Sequence, residues 1–331
     1  MVLVFHCCQG KQTKLKIVKD IKHDLCLIQL YTLKTGFCNY IFYMLKIKMG
    51  KPNSISFRQD IDGMAWRGIF SHREVEPGLF SITEDYYVSG NRANIWLVKG
   101  DEKENILIDT GLGVHNVRQY ILDNGLVSED GDILALATHV HFDHSGGLHY
   151  FDQVGIHESE VRALENGDQT KTVTWLSCEE ISIPPSEDWD ASSYKVQAAK
   201  VTKILHDQDI IQFSSVRLKV LHLPGHSCDS LVFLEESKGW IFTGDVLYSG
   251  GLIDWLPTSC VRKYRDSMQT LINLRLENKY KSVFPGHGPV LDMDQTRAIA
   301  QNYLGESGEL QNIGSSCMSC VASLALRIKN A

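Results

Sequence analysis

A hexapeptide near the middle of the chain constrains the fold more than any other feature of the sequence. It reads His139-Val140-His141-Phe142-Asp143-His144 and directly follows Asp132–Thr138, an apolar run that predicts a strand. An extended backbone would point His139 and His141 to one side, with Asp143 and His144 at the next bend. Neutral imidazole and carboxylate are the groups that bind Zn²⁺ in catalytic sites. The hexapeptide therefore predicts a metal site, with a polar surface turn as the weaker alternative.

Three later residues complete a candidate ligand set. His226, Asp245 and His287 each follow an apolar run that predicts a strand, and each is preceded by a glycine. Glycine permits the tight turn that would aim such a side chain back across the edge of a sheet. In an α/β fold the residues that follow the strands meet at one edge, so we expect these side chains to converge there.

Strands and helices alternate along the chain, which predicts the α/β class. The predicted strands are Asn94–Val98, Asn105–Asp109, Asp132–Thr138, Val216–Leu223, Trp240–Thr243 and Ser282–Phe284. The predicted helices are Gly113–Asn124, Glu158–Asn166, Tyr264–Glu277 and Gln295–Tyr303. An insertion from about residue 158 to 200 carries aromatic residues. A mobile lid over the site and a packed hairpin at a sheet end are equally good interpretations of it.

The beginning of the chain differs in composition from the rest. Residues 1–63 predict an extension that is disordered or outside the fold, and residues 64–331 predict the folded domain. The membrane-span candidate is Leu25–Leu45, but Lys34 lies near its middle. A central lysine costs roughly 3 kcal/mol of insertion free energy, so a true membrane helix is disfavoured.

Charge and cysteine usage exclude several classes of protein. The formal net charge is −7, which argues against nucleic-acid binding because that requires a basic surface. The nine cysteines show no disulfide framework, which predicts a reducing, cytosol-facing location. Ser316–Ile328 is apolar, carries Cys317 and Cys320, and is too short to span a bilayer. Packing on the domain is the favoured interpretation. Palmitoylation and peripheral contact with the endoplasmic reticulum or plasma membrane form the second hypothesis.

The motifs, with Ile108-Asp109-Thr110-Gly111 as the first, resemble the ordered motifs of the metallo-β-lactamase superfamily, in particular its glyoxalase II-like hydrolases. Longer segments resemble a narrower group in it, acyl-coenzyme A thioesterases. These segments are Ser89–Val98, Thr138–Leu148, Thr172–Leu176, Ile253–Pro257 and Ala322–Arg327. The resemblance covers the chain from about Met64 and implies a four-layer αββα sandwich with metals at one edge.

The resemblance also implies two zinc ions per chain, with iron as the minority alternative. The implied ligands are His139, His141 and His226 for the first ion, Asp143, His144 and His287 for the second, and Asp245 as a bridge. Asp109 would orient a ligand from outside this set. The implied catalytic residues are Asp143, His144 and Asp245.

A metal-activated water that attacks an ester-like carbonyl is the expected chemistry. The motifs offer no obvious general acid beyond Asp143, and a thiolate leaves without one because a thiol pKa is roughly 8.5. We therefore expect a thioesterase acting on long-chain acyl-CoA such as palmitoyl-CoA, with Trp175 and Trp255 at the substrate. The alternatives are a hydroxyacylglutathione hydrolase, a lactonase, or a membrane-associated scaffold with an inactive site. The sequence does not define an oligomeric state.

Overall fold

The computed structural model describes residues 33–35, 38–40, 66–101, 103–213, 215–275 and 279–312. The chain divides into two compact units, Met1–Ile61 and Asp62–Ala331. In the first unit, β1 (Leu33–Thr35) and β2 (Cys38–Tyr40) pair as an antiparallel hairpin. Apart from these strands, the predicted extension lies outside the described residues, as does the segment Ser316–Ile328.

A seven-stranded mixed sheet begins the second unit. Its strands, in spatial order, are β3 (Phe70–Glu76), β4 (Leu79–Glu84), β5 (Ile95–Lys99), β6 (Glu104–Ile108), β7 (Asp132–Leu136), β8 (Gln153–His157) and β9 (Lys203–Leu205). The pairs from β3 to β6 are antiparallel, and those from β6 to β9 are parallel. The carboxyl ends of β6 and β7 therefore lie at the same edge.

A six-stranded sheet comes next along the chain. Its strands, again in spatial order, are β10 (Ile210–Phe213), β11 (Val216–His222), β12 (Leu231–Glu235), β13 (Trp240–Gly244), β14 (Ser282–Pro285) and β15 (Leu291–Asp292). Only β13 and β14 pair in parallel. Since β12 runs antiparallel to both β11 and β13, the strands β11, β13 and β14 all point the same way.

The described helices are α1 (Val117–Asp123), α2 (Phe142–Ser145), α3 (Val161–Asn166), α4 (Val261–Arg275) and α5 (Met293–Asn312). Short 3-10 helices cover Leu148–Tyr150, Glu158–Glu160, Cys178–Glu180 and Ala191–Ser193. Residues 158–200 thus contain α3 and three 3-10 helices, and no strand forms anywhere in that fully described stretch. The hairpin interpretation of the insertion is wrong. Among the described helices, none combines the length and apolarity needed to cross a membrane.

The two-residue period of the strands sorts side chains into layers. Along β5, Ile95 and Leu97 enter a core shared with α1, whereas Trp96 and Val98 enter the core between the sheets. In β13, Ile241 instead joins a core shared with α4 and α5. Helices thus cover the outer face of each sheet, and the predicted four-layer αββα sandwich is confirmed.

Candidate metal centre

Strand ends bring the predicted ligands to one edge of the sandwich. Asp109 directly follows β6, Asp245 directly follows β13, and His139, His226 and His287 come two to four residues after β7, β11 and β14. These five strands point the same way within their sheets, so all the predicted side chains meet where the sheets open. His141, Asp143 and His144 lie in the turn and helix α2 that continue from β7.

The first group of side chains consists of His139, His141 and His226. The Nδ1 atom of His141 lies 3.0 Å from His139 Nε2 and 3.0 Å from His226 Nε2. Three nitrogens bound to one Zn²⁺ at roughly 2.0–2.1 Å in tetrahedral geometry would be about 3.3 Å apart. The imidazoles are almost fully buried and already near that spacing, so they could hold a metal ion.

The second group consists of Asp143, His144 and His287. The two imidazoles approach through their Nε2 atoms, which are 3.3 Å apart. Asp143 Oδ2 lies 3.4 Å from His287 Nε2 and 3.6 Å from His144 Nε2. These distances also fit three ligands around one ion.

Asp245 lies between the two groups. Its Oδ2 atom is 3.6 Å from His226 Nε2 in the first group and 3.3 Å from His287 Nε2 in the second. Its Oδ1 atom is 3.4 Å from His144 Nε2, yet it is buried without a hydrogen-bond partner. A buried carboxylate oxygen costs free energy unless something compensates it, and a cation between the groups would do so. The structure therefore brings all seven predicted ligands together around a bridging carboxylate.

The Asp109 carboxylate hydrogen-bonds the Nδ1 side of the His144 ring, the role that the resemblance implied. Its Oδ2 accepts from His144 Nδ1 at 2.9 Å, and its two oxygens accept from the backbone N–H and hydroxyl of Thr138. Asp109 is fully buried and adopts a left-handed backbone with φ of 61°. Such a conformation is uncommon outside glycine, and here it turns the carboxylate towards the ligand. Nε2 of His144 is thereby left facing the second group.

Backbone carbonyls fix two more imidazoles. His226 Nδ1 donates to the carbonyl of Ile253 at 2.9 Å, and His287 Nδ1 donates to the carbonyl of Arg92 at 2.9 Å. A carbonyl can only accept, so Nδ1 carries the proton and Nε2 presents its lone pair. This outer arrangement is typical of metal-binding histidines.

Burial and mutual repulsion keep the first group neutral. Desolvation, followed by the neighbouring imidazoles, holds the pKa of His139 well below its usual value and lowers that of His141 to about 3. Desolvation also lowers the pKa of His226. Neutral imidazole is the metal-binding form, so this group is ready to coordinate at neutral pH.

The second group has the opposite electrostatics. Burial lowers the pKa of His144, but Asp245, Asp143 and Asp109 outweigh it and raise the value well above normal. Burial also lowers the pKa of His287, but the carboxylates, with Asp245 first, outweigh it and raise the pKa to about 10. The carboxylates thus require nearby positive charge, which either bound protons or a metal ion would supply.

The glycine before His287 is required by packing. A Cβ atom on Gly286 would overlap the Asp245 carboxylate and approach His144 Cε1 to 2.8 Å. Any larger residue would displace two predicted ligands at once. The sequence prediction concerned the conformational freedom of these glycines, and the positive φ of 49° at Gly244 fits it, whereas Gly286 is needed for space.

A cleft of about 300 Å³ opens onto the two groups. Apolar side chains from separate segments line it, among them Trp175, Trp255 and Tyr248. Trp175 is 58% exposed and Trp255 54% exposed, so both stand at the mouth, where a ligand would cover them. Trp189, by contrast, packs into the core beside α1. The insertion therefore contributes a wall to the cleft through Trp175 and is anchored elsewhere.

Sequence reasoning missed the residues that act through the backbone or from irregular segments. Ile253 and Arg92 contribute only carbonyl oxygens, for which no side-chain pattern exists. Thr258, 3.3 Å from His141 Nε2, and the cleft residue Tyr248 lie outside any metal motif. Burial and the Glu160 carboxylate raise the pKa of the Cys228 thiol to about 12, which disfavours the nucleophilic thiolate.

The model of the metallo-beta-lactamase superfamily matches residues 88–287. A Homo sapiens protein named Acyl-coenzyme A thioesterase MBLAC2 is 42% identical over 269 residues, covering 79% of this chain and 96% of that protein. The Gallus gallus protein of the same name is 39% identical with the same coverage. Among solved structures, the metallo-beta-lactamase family protein TTHA1429 from Thermus thermophilus superposes with a TM-score of 0.53 at 21% identity, over 72% of this chain and 81% of that one.

The matched span runs from just before the Arg92 carbonyl to His287, so it contains every predicted ligand. The relatives align along almost their whole length, and the solved structure shares the fold. The chain belongs to the metallo-β-lactamase superfamily.

Proposed function

We propose that the chain is a dizinc thioester hydrolase whose substrates are long-chain acyl-CoA molecules. The observation that carries the proposal is the set of seven predicted ligands, six buried and His287 partly buried, with Asp245 within 3.6 Å of imidazoles in both groups. An inactive scaffold has no need to retain such a set, because burying carboxylates beside each other costs free energy. The relatives named acyl-coenzyme A thioesterases support the thioester class.

Zinc suits the donors, which are five imidazole nitrogens and two carboxylates without a thiolate. His139, His141 and His226 would hold one ion, Asp143, His144 and His287 the other, and Asp245 both. When bound, two zinc ions would supply a water of lowered pKa as the nucleophile and positive charge that stabilises a developing oxyanion. Elemental analysis of active protein should give about two zinc ions per chain. A value near zero, or tightly bound iron, would contradict this assignment.

The chain's own groups position the reacting parts. Asp143 and Asp245 line the cleft and present carboxylate oxygens that can accept a hydrogen bond from the attacking water and so orient it. Asp109 keeps His144 in one orientation, so the second group cannot relax as charge moves. A thiolate departs without protonation, whereas an amine leaving group would need a donor. The site thus favours thioesters over lactams.

The acyl chain would lie against the apolar wall of the cleft. Trp175 and Trp255 are exposed at its mouth, and covering them would remove apolar surface from water. Each methylene that becomes buried contributes about 0.8 kcal/mol. We therefore expect kcat/KM to rise with chain length until the apolar wall is fully covered.

The deciding experiment is a hydrolysis panel on purified, zinc-loaded full chain. It compares acyl-CoA substrates of increasing chain length with lactoylglutathione, a lactone and nitrocefin. Long-chain acyl-CoA should give the highest kcat/KM. A preference for lactoylglutathione or the lactone would refute the substrate class while leaving a zinc hydrolase, and no hydrolysis of any substrate by zinc-loaded protein would refute the enzyme assignment.

A further inference from the structure

The segment from Leu252 to Cys260, called here the wall segment, is irregular in structure yet contacts both the metal centre and the cleft. It contains the motif Ile253-Asp254-Trp255-Leu256-Pro257, whose resemblance to relatives implied no role for Asp254. Between β13 and α4 it has no helix or strand to support it. Its position is therefore fixed by individual contacts, which include a backbone bond from the Cys260 N–H to the Gly225 carbonyl at 2.8 Å and several side-chain contacts.

The wall segment contacts two predicted ligands of the first group. The Ile253 carbonyl accepts from His226 Nδ1 at 2.9 Å, and the Ser259 hydroxyl donates to the His226 carbonyl at 2.6 Å. Thr258 Oγ1 lies 3.3 Å from His141 Nε2. A displacement of this segment would rotate imidazoles that must keep their Nε2 or Nδ1 atoms within about 3 Å of each other.

The same segment forms one side of the cleft. Ile253, Trp255 and Leu256 line it, and the half-exposed Trp255 stands at its mouth. Two glycines precede it, and a Cβ atom on Gly250 or Gly251 would meet nothing within 4 Å. The chain is loosely packed at these glycines, so they do little to fix Trp255. The position of Trp255 therefore depends on the contacts that residues of the wall segment make with the rest of the domain.

Asp254 anchors the segment to the helical layer. It is 7% exposed, and its Oδ2 accepts from the hydroxyl of Tyr303 in α5 at 2.7 Å. Tyr303 is 4% exposed and packs against Tyr264, with ring centroids 4.8 Å apart. Tyr264 in turn donates from its hydroxyl to the Asp245 carbonyl at 2.9 Å. Two packed tyrosines thereby support the wall segment and the bridging carboxylate from the same layer.

We infer that Asp254 and Tyr303 are positioning residues that set the orientation of His226 and the place of Trp255 in the cleft. The inference rests on the proposed function for its two zinc sites and for its substrate readout. Asp254 lies between Ile253, which accepts from the predicted ligand His226, and Trp255, which lines the cleft, so its hydrogen bond to Tyr303 bears on the position of both neighbours. Losing it should weaken one of the two metal positions and the recognition of long acyl chains together.

Tyr303→Phe tests the inference with the least disturbance, because it removes only the hydroxyl. Tyr280→Phe is the matched control: Tyr280 is 7% exposed in the same helical-layer core but lies before β14, at the opposite edge. Zinc titration of metal-free full chain against a chromophoric chelator gives the two dissociation constants. Loss of an outer partner typically weakens metal binding about 10- to 100-fold.

We expect Tyr303→Phe to raise one zinc dissociation constant about 10-fold, near the lower end of that range because the residue acts through Asp254 and Ile253. The other constant should be unchanged, and Tyr280→Phe should change neither. Asp254→Ala should resemble Tyr303→Phe or exceed it, whereas Asp254→Asn keeps an oxygen that can accept and should restore most of the affinity. If Asp254→Ala fails to fold, the comparison of the zinc dissociation constants of Tyr303→Phe and Tyr280→Phe still tests the inference.

The substrate readout is the KM for palmitoyl-CoA relative to butyryl-CoA in zinc-saturated protein. Tyr303→Phe should raise this ratio, since a longer chain would cover more of the exposed Trp255 than a short one. A lower melting temperature with both zinc constants and the KM ratio unchanged would show a purely structural role and overturn the inference. If the wild type hydrolyses no acyl-CoA, the proposed substrate fails, but the zinc titration still tests the positioning role.

Discussion

Glu84 provides the sharpest test of how the region behind the metal centre is built. This residue ends β4, is fully buried, and accepts from the Tyr86 hydroxyl and from the backbone N–H of Leu112. A Cβ atom placed on Gly111 would contact its carboxylate at 2.5 Å or less. Glu84 therefore fixes the position of the loop that begins with Asp109, through its bond to Leu112 and its close contact with Gly111. Desolvation is the largest effect on it and raises its pKa from 4.5 to about 7, against the lowering by its hydrogen bonds.

The raised pKa of Glu84 makes the stability of the protein depend on pH. The folded protein binds the Glu84 proton more tightly than the unfolded chain does, so the contribution to stability is complete at low pH and is lost as pH rises through about 7. A change of pKa from 4.5 to about 7 corresponds to about 3 kcal/mol of unfolding free energy at full burial. Glu84→Gln removes the titration but keeps an oxygen that can accept from Leu112.

The assay is urea unfolding of zinc-loaded protein at a series of pH values between about 4.5 and 8.5, which spans both pKa values. The free energy of unfolding of Glu84→Gln minus that of the wild type should increase by about 3 kcal/mol across the series. Taking the difference cancels the titration of the metal ligands, which both proteins share. Glu74→Gln, at an exposed position on β3, is the control and should show no such trend. A difference that stays constant with pH would refute the assignment of a buried, proton-binding Glu84.

Three further outcomes are expected. Asp245→Asn should lower zinc content and kcat together because it removes the negative charge between the two groups of ligands. The control His149→Gln should change both by less than about twofold, because the His149 ring bonds to the Gly146 carbonyl and not to a predicted ligand. Inductively coupled plasma analysis measures the zinc content, and initial rates give kcat. Trp175→Ala should flatten the rise of kcat/KM with acyl-chain length, and an unchanged slope would remove Trp175 from the substrate site. A chain comprising Met64–Ala331 should remain soluble and fully active if the extension is dispensable, and loss of either property would place residues 1–63 in the fold.

Four of the five strands that lead to predicted ligands were predictable because most of their residues are buried on both faces, and β11 alternates instead. Continuous apolar runs such as Asp132–Leu136 and Trp240–Gly244 stand out from their surroundings, and both were identified with small errors at their ends. The edge strand Phe70–Glu76 was missed, since most of its side chains face solvent and give little apolar signal.

The ligand set was predictable for a different reason. Metal coordination requires particular side chains, and His139, His141, Asp143 and His144 stand too close together to be accidental. Glu84 shows where such reasoning ends. A single glutamate in the sequence Ile82-Thr83-Glu84 carries no signal of burial, because nothing local reveals that the loop around Leu112 will close over it. Positions fixed by distant backbone donors become visible only in the fold.

The charges of the centre explain why carboxylates surround it in two layers. Two dications would bring four positive charges into a buried site whose direct ligands include only two carboxylates, Asp143 and Asp245. With five neutral imidazoles, the balance stays positive even after the attacking water loses a proton. Asp109, fully buried and hydrogen-bonded to His144, adds a negative charge just outside the ligands. Because charges interact strongly where water is excluded, this outer carboxylate would offset part of the positive charge of two bound ions and bring the balance to zero once the water has lost its proton.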